Sequence, residues 1–388
     1  MVLLMTPGLA FFYGGLARAK NANATIMHSF MTIAIVSVVW VLWGYTLAFG
    51  PDVGGFIGGL DFLGLSGVSA SESSLGLTIP DQLFMMFQGM FAIITPALIT
   101  GAFAERMKFP AFVIFIVAWV TIVYAPVAHW VWGGGWLGDL GALDYAGGTV
   151  VHINSGVAAL AAALIFGRRL GFGREAMEPH NVPFVVLGAG LLWFGWFGFN
   201  AGSALAAGGD AVNAFVVTNT AAAAGALAWV TMGWVFAKKP SVVGAASGAV
   251  AGLVAITPAA GFVGAMPAIV IGIGAGIVCY SALQVASRLG IDDALAVWGV
   301  HGMGGTWGAL ATGLFVGVGF SALPDGVGRL EQVGIQLIGI GATWVWAFIL
   351  TAVILFALKY TIGIRVSEED EEAGLDISEH AETAYRLT

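Results

Sequence analysis

The stretch Asp144-Tyr145-Ala146-Gly147-Gly148-Thr149-Val150-Val151-His152-Ile153-Asn154-Ser155-Gly156 sets a carboxylate and an imidazole eight positions apart in sequence with no other charged residue. A second stretch, Asp293-Ala294-Leu295-Ala296-Val297-Trp298-Gly299-Val300-His301-Gly302-Met303-Gly304-Gly305, repeats that spacing. His152 and His301 fall well inside long uncharged runs. An ionisable side chain there is costly and commonly functional. Either histidine alone could be a core residue bonded to a backbone carbonyl. Two in matching surroundings ask for a common explanation.

The surrounding composition identifies the class. Of 388 residues, 59% are hydrophobic and 9% charged, whereas a soluble domain is about 25% charged. So few charges cannot cover a core of this size with a solvated surface. The chain is expected to be an all-α integral membrane protein. Its single cysteine, Cys279, excludes a disulfide framework and a Cys-rich metal site. The 14 Lys and Arg residues are thinly scattered and leave no patch for nucleic acid. The 58 glycines suit helices that pack closely in a bilayer.

About 20 apolar residues cross a hydrocarbon core, and the uncharged runs give eleven candidate transmembrane helices. They lie at 1–17, 26–49, 83–104, 109–132, 146–166, 184–203, 211–237, 242–260, 262–286, 294–315 and 333–358. Alternating the connections puts Arg18, Lys20, Arg106, Lys108, Arg168, Arg169, Arg174, Lys238, Lys239, Arg288, Lys359, Arg365 and Arg386 on one side, with only Arg329 on the other. By the positive-inside rule the C-terminus is cytoplasmic and the N-terminus outside, as expected for a multi-pass cell-membrane protein. The first run is followed, not preceded, by Arg18 and Lys20, the reverse of a signal peptide. The expectation is that Met1 starts inside a helix whose beginning lies upstream. The connection at 50–82, rich in Gly and Ser, reads as an outer surface loop. The expected domains are a transmembrane unit at 1–365 and an acidic cytoplasmic tail at 366–388. The tail carries eight acids against Arg386. Composition allows it to be a disordered solvated segment or one available to a cytoplasmic partner.

The matched Asp–His spacings divide the runs into two five-helix units, about 1–167 and 184–318, followed by a last helix at about 333–358. Five is odd, so the second unit must be inverted across the membrane. Eight helical residues rise about 12 Å. Both histidines then lie near mid-depth of a core of about 30 Å, approached from opposite faces. A pseudo-two-fold axis would bring them together.

Aromatic residues gather toward the outer side. Phe87 and Phe91 share one helix face, Trp132 closes the fourth run, and Trp196, Phe199 and Ser203 approach the outer end of the sixth. Converging, they would form an aromatic mouth suited to a small cation. For any one of them an interfacial aromatic belt or ordinary packing is the better explanation, and the case rests on the set and on the depth of Phe91 and Phe199. A passage lined by phenylalanine and neutral imidazole rejects a bare charge, and imidazole can accept or relay a proton. Potassium cannot shed its charge; ammonium can.

These residues resemble the ammonium transporter (Amt/MEP/Rh) family, and its bacterial and archaeal Amt type in particular. The resemblance is carried by residues 144–152 continuing to Gly167-Arg168-Arg169. Further matches are Pro7-Gly8 with Phe11-Phe12-Tyr13-Gly14-Gly15, Gly101-Ala102-Phe103-Ala104-Glu105-Arg106, and His129-Trp130-Val131-Trp132-Gly133-Gly134-Gly135. Gly195-Trp196-Phe197-Gly198-Phe199-Asn200-Ala201-Gly202-Ser203, Gly299-Val300-His301-Gly302 and Gly374-Leu375-Asp376 complete the series, with His380 and Ala384-Tyr385. The resemblance implies a homotrimer in the lipid bilayer with one pore per subunit, taking ammonium, with methylammonium as an analogue. It implies an outer substrate site of Phe87, Phe91, Trp132 and Ser203, a stacked gate of Phe91 and Phe199, and a pore built on His152 and His301. Asp144 would support the outer site through hydrogen bonds, and the tail would engage a PII-type signalling protein. The resemblance also leads us to expect an aspartate five residues before His301, where Ala296 stands.

Neither a cofactor nor a metal is expected, and the chain is not expected to be an enzyme: no H-E-x-x-H spacing occurs. A sensor of the same fold would signal through the tail, which is short for an output domain. A channel for water or urea would need a continuous line of hydrogen-bonding groups, which Phe91 and Phe199 interrupt.

Overall fold

A backbone in hydrocarbon must satisfy its own hydrogen bonds, and each uncharged run lies on a helix in the computed structural model, which describes residues 1–385. Arg386, counted in the charge split, lies outside the described residues. In chain order the helices are α1 (Val2–Leu16), α2 (Ala19–Phe49), α3 (Asp81–Ile99), α4 (Phe109–Asp139, interrupted at 133–135), α5 (Gly148–Phe166), α6 (Val182–Ala204), α7 (Gly209–Ala237), α8 (Val242–Ile256) and α9 (Ala265–Leu289). They continue with α10 (298–315), α11 (Arg329–Thr361), α12 (Glu368–Ala373) and α13 (Leu375–Ser378). Among the described residues eight of these are long and apolar enough to cross a membrane: α2 to α7, α9 and α11. The shorter α1 and α8 are also apolar. The 50–82 connection holds a small antiparallel hairpin, β1 (Asp52–Val53) and β2 (Ile57–Gly58), pairing Asp52 with Gly58. Helix α3 ends at Ile99, short of the expected 104, in turns that reach a left-handed Glu105.

Helix α1 packs along α6, α7 along α8 and α9, and α5 against α10 and α11. The α5–α10 crossing is close because it is built on glycine. Gly156 lies on the backbone of His301 and Gly302, and Gly305 lies on Gly148 and His152, so a Cβ at either position would collide. Small residues let membrane helices approach to backbone contact. Here that brings the two histidine-bearing segments together.

The connections α1–α2, α3–α4, α5–α6 and α9–α10 meet at one end of the bundle through paired charges. Arg18 Nε donates to Glu105 (2.7 Å), and Arg169 lies 3.5 Å from the same carboxylate. Arg169 also pairs with Asp292 at 2.8 Å, and Arg106, fully buried, donates to the Asp292 carbonyl at 2.7 Å. Burial pushes the Asp292 carboxyl up, but its hydrogen bonds to Arg169 and the charge of Arg106 prevail and hold it below its usual range. Several basic residues that set the charge asymmetry are therefore structural, since buried charges persist only when paired.

The described part of the tail packs on the ends of α2 and α4. Asp376 accepts from the N–H groups of Asn23 and Ala24 in the first turn of α2 (3.1 and 2.8 Å), and Glu379 accepts from Phe109 N–H at the start of α4 (2.9 Å). Both satisfy helix-terminal donors that have no partner within their own helix. Glu371 is sealed between Arg365 and the N–H of Leu170. Three of the eight acids of the tail are thus its anchors.

Candidate functional site

Helix α5 begins on a single carboxylate. Asp144 Oδ1 accepts from Gly147 and Gly148 N–H (2.9 and 2.6 Å), and Oδ2 from Thr149 and Val150 N–H (2.8 and 3.1 Å). Burial pushes this carboxyl up, and the four bonds pull it back. Gly147 is left-handed (φ 112°), a conformation that favours glycine. The turn that follows, Gly148–Ile153, is the wide π type, with His152 N–H bonded to Gly147 O at 3.0 Å. Such turns shift the side-chain register and recur at functional sites.

The segment before α10 has the same build. Asp293 Oδ2 accepts from Trp298 N–H at 2.7 Å, Ala296 is left-handed (φ 61°), and Trp298–Gly302 is a wide turn carrying His301. Position 296, where the resemblance implied an aspartate, is Ala296, and the turn is capped from Asp293. The capping carboxylate stands eight residues before the histidine, as Asp144 does, and Ala296 occupies the left-handed position of Gly147. The two sites are unequal in one respect: Asp293 Oδ1 is buried without a hydrogen-bond partner among the described residues.

The histidines meet. His301 Nδ1 lies 3.2 Å from His152 Nδ1, with the rings inclined by 25° and their centroids 5.3 Å apart. The hydrogen bond requires one Nδ1 to donate and the other to accept, so the rings are chemically unequal at any instant. His152 also stacks on Trp196 (5.3 Å, 22°), whose indole N–H is held by Thr257 Oγ1 at 2.9 Å. His152 Nε2 finds no partner among the described residues. The space beside the pair, walled by Leu9, Ile94, Leu98, Trp196 and Phe199, measures about 10 Å³. That is room for about one water-sized molecule.

Phe91 and Phe199 lie above, with centroids 4.3 Å apart and rings tilted by 38°. The two rings are in contact and inclined to one another. Phe87 meets Phe91 edge-on at 4.9 Å and Trp132 does so at 5.8 Å. Beyond them opens a cavity of about 330 Å³ lined by Phe87, Gln88, Phe91, Trp132, Tyr145 and Ser203. Trp132 Nε1 donates to the Asp144 carbonyl (2.8 Å), and Ser203 Oγ donates to Phe199 O (2.8 Å), leaving the hydroxyl oxygen free to accept. Gln88 and Tyr145 are cavity residues that sequence reasoning missed. Gln88 Oε1 is buried and unpartnered among the described residues. Its signal was its place beside Phe87, but an uncharged amide does not stand out as a histidine does. On the far side of His301 another cavity, about 170 Å³, is bordered by Phe12, Tyr13, Ala296 and Val300. The contacts thus run from the cavity at Phe87 and Ser203 through the phenylalanine pair and the histidine pair to the cavity at Phe12 and Tyr13.

The Ammonium Transporter Family model matches residues 1–385. An ammonium transporter of Bacillus subtilis (strain 168) is 54% identical over 390 residues, spanning 100% of this chain and 96% of that protein. Ammonium transporter Amt1 of Archaeoglobus fulgidus is 49% identical over 388 residues, spanning 99% and 96%. The crystal structure of Saccharomyces cerevisiae Mep2 superposes with a TM-score of 0.88 at 40% identity, over 95% of this chain and 85% of that one. A structure described as a sensor Amt protein gives 0.92 at 32% identity, over 98% and 95%.

Proposed function

The chain belongs to the ammonium transporter family, and on that premise we propose that it recruits ammonium in the outer aromatic cavity, deprotonates it, and conducts ammonia past the histidine pair. The observation that carries this reading is a succession of contacts, from an aromatic, oxygen-bearing cavity through touching phenylalanines to two bonded imidazoles. Ring faces of Phe91 and Trp132 attract a cation, and the oxygens of Ser203 and Gln88 accept its N–H bonds. Phe91 and Phe199 bar a solvated ion, because crossing them strips its water with no charge offered in return. Ammonium can cross by giving a proton to solvent water in the outer cavity, the N–H bond breaking as the water O–H bond forms. The neutral ammonia then meets an imidazole edge, His152 Nε2, free to exchange hydrogen bonds with it. On the far side ammonia regains a proton. Whether the first proton follows by its own route decides if transport carries charge.

The same reading includes eleven spans in two inverted repeats, about 1–167 and 184–318, with a last helix near 333–358. The shared Asp–left-handed residue–wide turn–His build before His152 and His301 supports it. It also includes a transmembrane unit at 1–365, a tail at 366–388, a cell-membrane location, the N-terminus outside and the C-terminus cytoplasmic. A homotrimer would cover apolar faces such as that of α7, which is largely exposed in the single chain. The tail, tied to α2 and α4, is suited to report binding of a PII-type protein to the cytoplasmic ends of those helices. A sensor reading is favoured by the structural likeness to the sensor Amt protein. Flux assayed in proteoliposomes separates the two: a transporter moves ammonium at a rate far above protein-free vesicles, and a sensor does not.

A further inference from the structure

Immediately before Asp144 the chain is gripped from helix α11. Gln332 and Gln336 stand one helical turn apart, 0% and 3% exposed. The Gln336 side chain uses all four of its hydrogen-bonding positions. Its Oε1 accepts from Leu143 N–H (2.8 Å) and from Gln332 Nε2 (3.3 Å), while its Nε2 donates to Leu143 O (2.8 Å) and Ala309 O (3.1 Å). Gln332 Nε2 also donates to Gly141 O at 3.0 Å. Irregular backbone at this depth survives only where protein satisfies it, and two amides on one helix face do that for Gly141 and Leu143.

The grip has a direction. Holding both polar groups of Leu143 fixes the two peptide planes that flank it, and the next carbonyl, that of Asp144, accepts Trp132 Nε1 at 2.8 Å. We propose that Gln336 is a positioning residue for the outer cation site, setting the depth and tilt of Trp132 through Leu143 and Asp144. Gln332 braces it from one turn earlier. The proposal rests on the outer cavity being the ammonium site. An apolar side chain of similar length could fill the same space but would leave both polar groups of Leu143 without these bonds, freeing the carbonyl that follows.

The test is the ammonium concentration dependence of uptake in proteoliposomes for wild type, Gln336→Met, Trp132→Phe and the double variant. Gln336→Met is expected to raise the half-saturating concentration about tenfold, as loss of a buried two-point bond allows. The maximal rate is expected to stay within about twofold. Trp132→Phe, which lacks the indole N–H, is expected to raise the half-saturating concentration as well, and the double variant to be no worse than Trp132→Phe alone. Multiplying effects, or a lowered maximal rate with unchanged half-saturation, would overturn the positioning role. If Trp132→Phe leaves half-saturation unchanged, the outer-site reading itself fails. If Trp132→Phe shifts it and Gln336→Met does not, only the present inference fails. Should Gln336→Met not fold, Gln336→Glu keeps the acceptor for Leu143 N–H and loses the donor to Leu143 O. It is expected to shift half-saturation in the same direction, and no shift would count against the proposal.

Discussion

His301 Nδ1 and His152 Nδ1 lie 3.2 Å apart, so a single proton bridges them and each ring's state depends on the other's. Doubly protonated rings would face each other N–H to N–H, so the bonded pair accommodates at most one added charge. A pair of this kind presents a hydrogen-bonding line to a neutral molecule and a poor site to a bare cation. His152→Ala and His301→Ala singly are each expected to lower ammonium flux at least about tenfold, the scale of one lost transition-state contact. Flux at the wild-type level in either variant, measured by internal pH change, would argue against the pair acting as a unit.

Phe91 touches Phe199 at 4.3 Å and is almost fully buried. Phe91→Ala opens that contact and is expected to admit potassium while costing about 3 kcal/mol of stability. A potassium-selective electrode outside loaded proteoliposomes would report the leak. A variant that stays tight to potassium would mean that the barrier lies elsewhere, at the histidines or below them.

Asp144 satisfies four backbone donors at once. Asp144→Ala orphans all four, and even a partial loss amounts to about 3 kcal/mol. The expected result is a lowered melting temperature in detergent, with Asp144→Asn intermediate because one oxygen remains. A fully stable Asp144→Ala protein with abolished uptake would instead point to direct contact between the carboxylate and ammonium.

Asp293 differs from Asp144 in having a free oxygen, and burial pushes its carboxyl from 3.8 up to about 6. Folding therefore favours the protonated acid. This group's contribution to stability is greatest below the unfolded pKa, declines as pH rises through the interval to about 6, and is constant above it. Relative to wild type, Asp293→Asn is expected to gain melting temperature at pH 7 and to lose that advantage at pH 4. Equal differences at both pH values would contradict the shifted carboxyl.

Asp376 and Glu379 cap α2 and α4, each such cap contributing about 1 kcal/mol. Removing the residues after Arg365 is expected to leave a folded protein with a lower melting temperature and weakened binding of a PII-type protein. Undiminished binding in a pull-down would sink the partner assignment. An unchanged melting temperature would sink the capping argument.

Much of this was legible because charge is so scarce. In a chain with 9% charged residues, His152 and His301 stand out, and their equal distance from Asp144 and Asp293 pairs them before any coordinates. Phe87 and Phe91 follow from helical spacing. The rest was hidden for definable reasons. The wide turns at His152 and His301 leave the local composition unchanged. Gln88, Gln332 and Gln336 are neutral, so they register as slightly less apolar positions within runs. The docking of the tail depends on backbone N–H groups at Ala24 and Phe109, which any residue but proline supplies. The capping of the turn before His301 by Asp293, eight residues away, depends on a backbone N–H at Trp298 that sequence does not mark.

The most direct measurement is uptake and current in proteoliposomes after an ammonium jump, beside a potassium jump, for wild type and for the variant carrying both His152→Ala and His301→Ala. The account expects wild type to respond to ammonium and not to potassium, and the double variant to lose either the response or the discrimination. A double variant with unchanged rate and unchanged selectivity would contradict it.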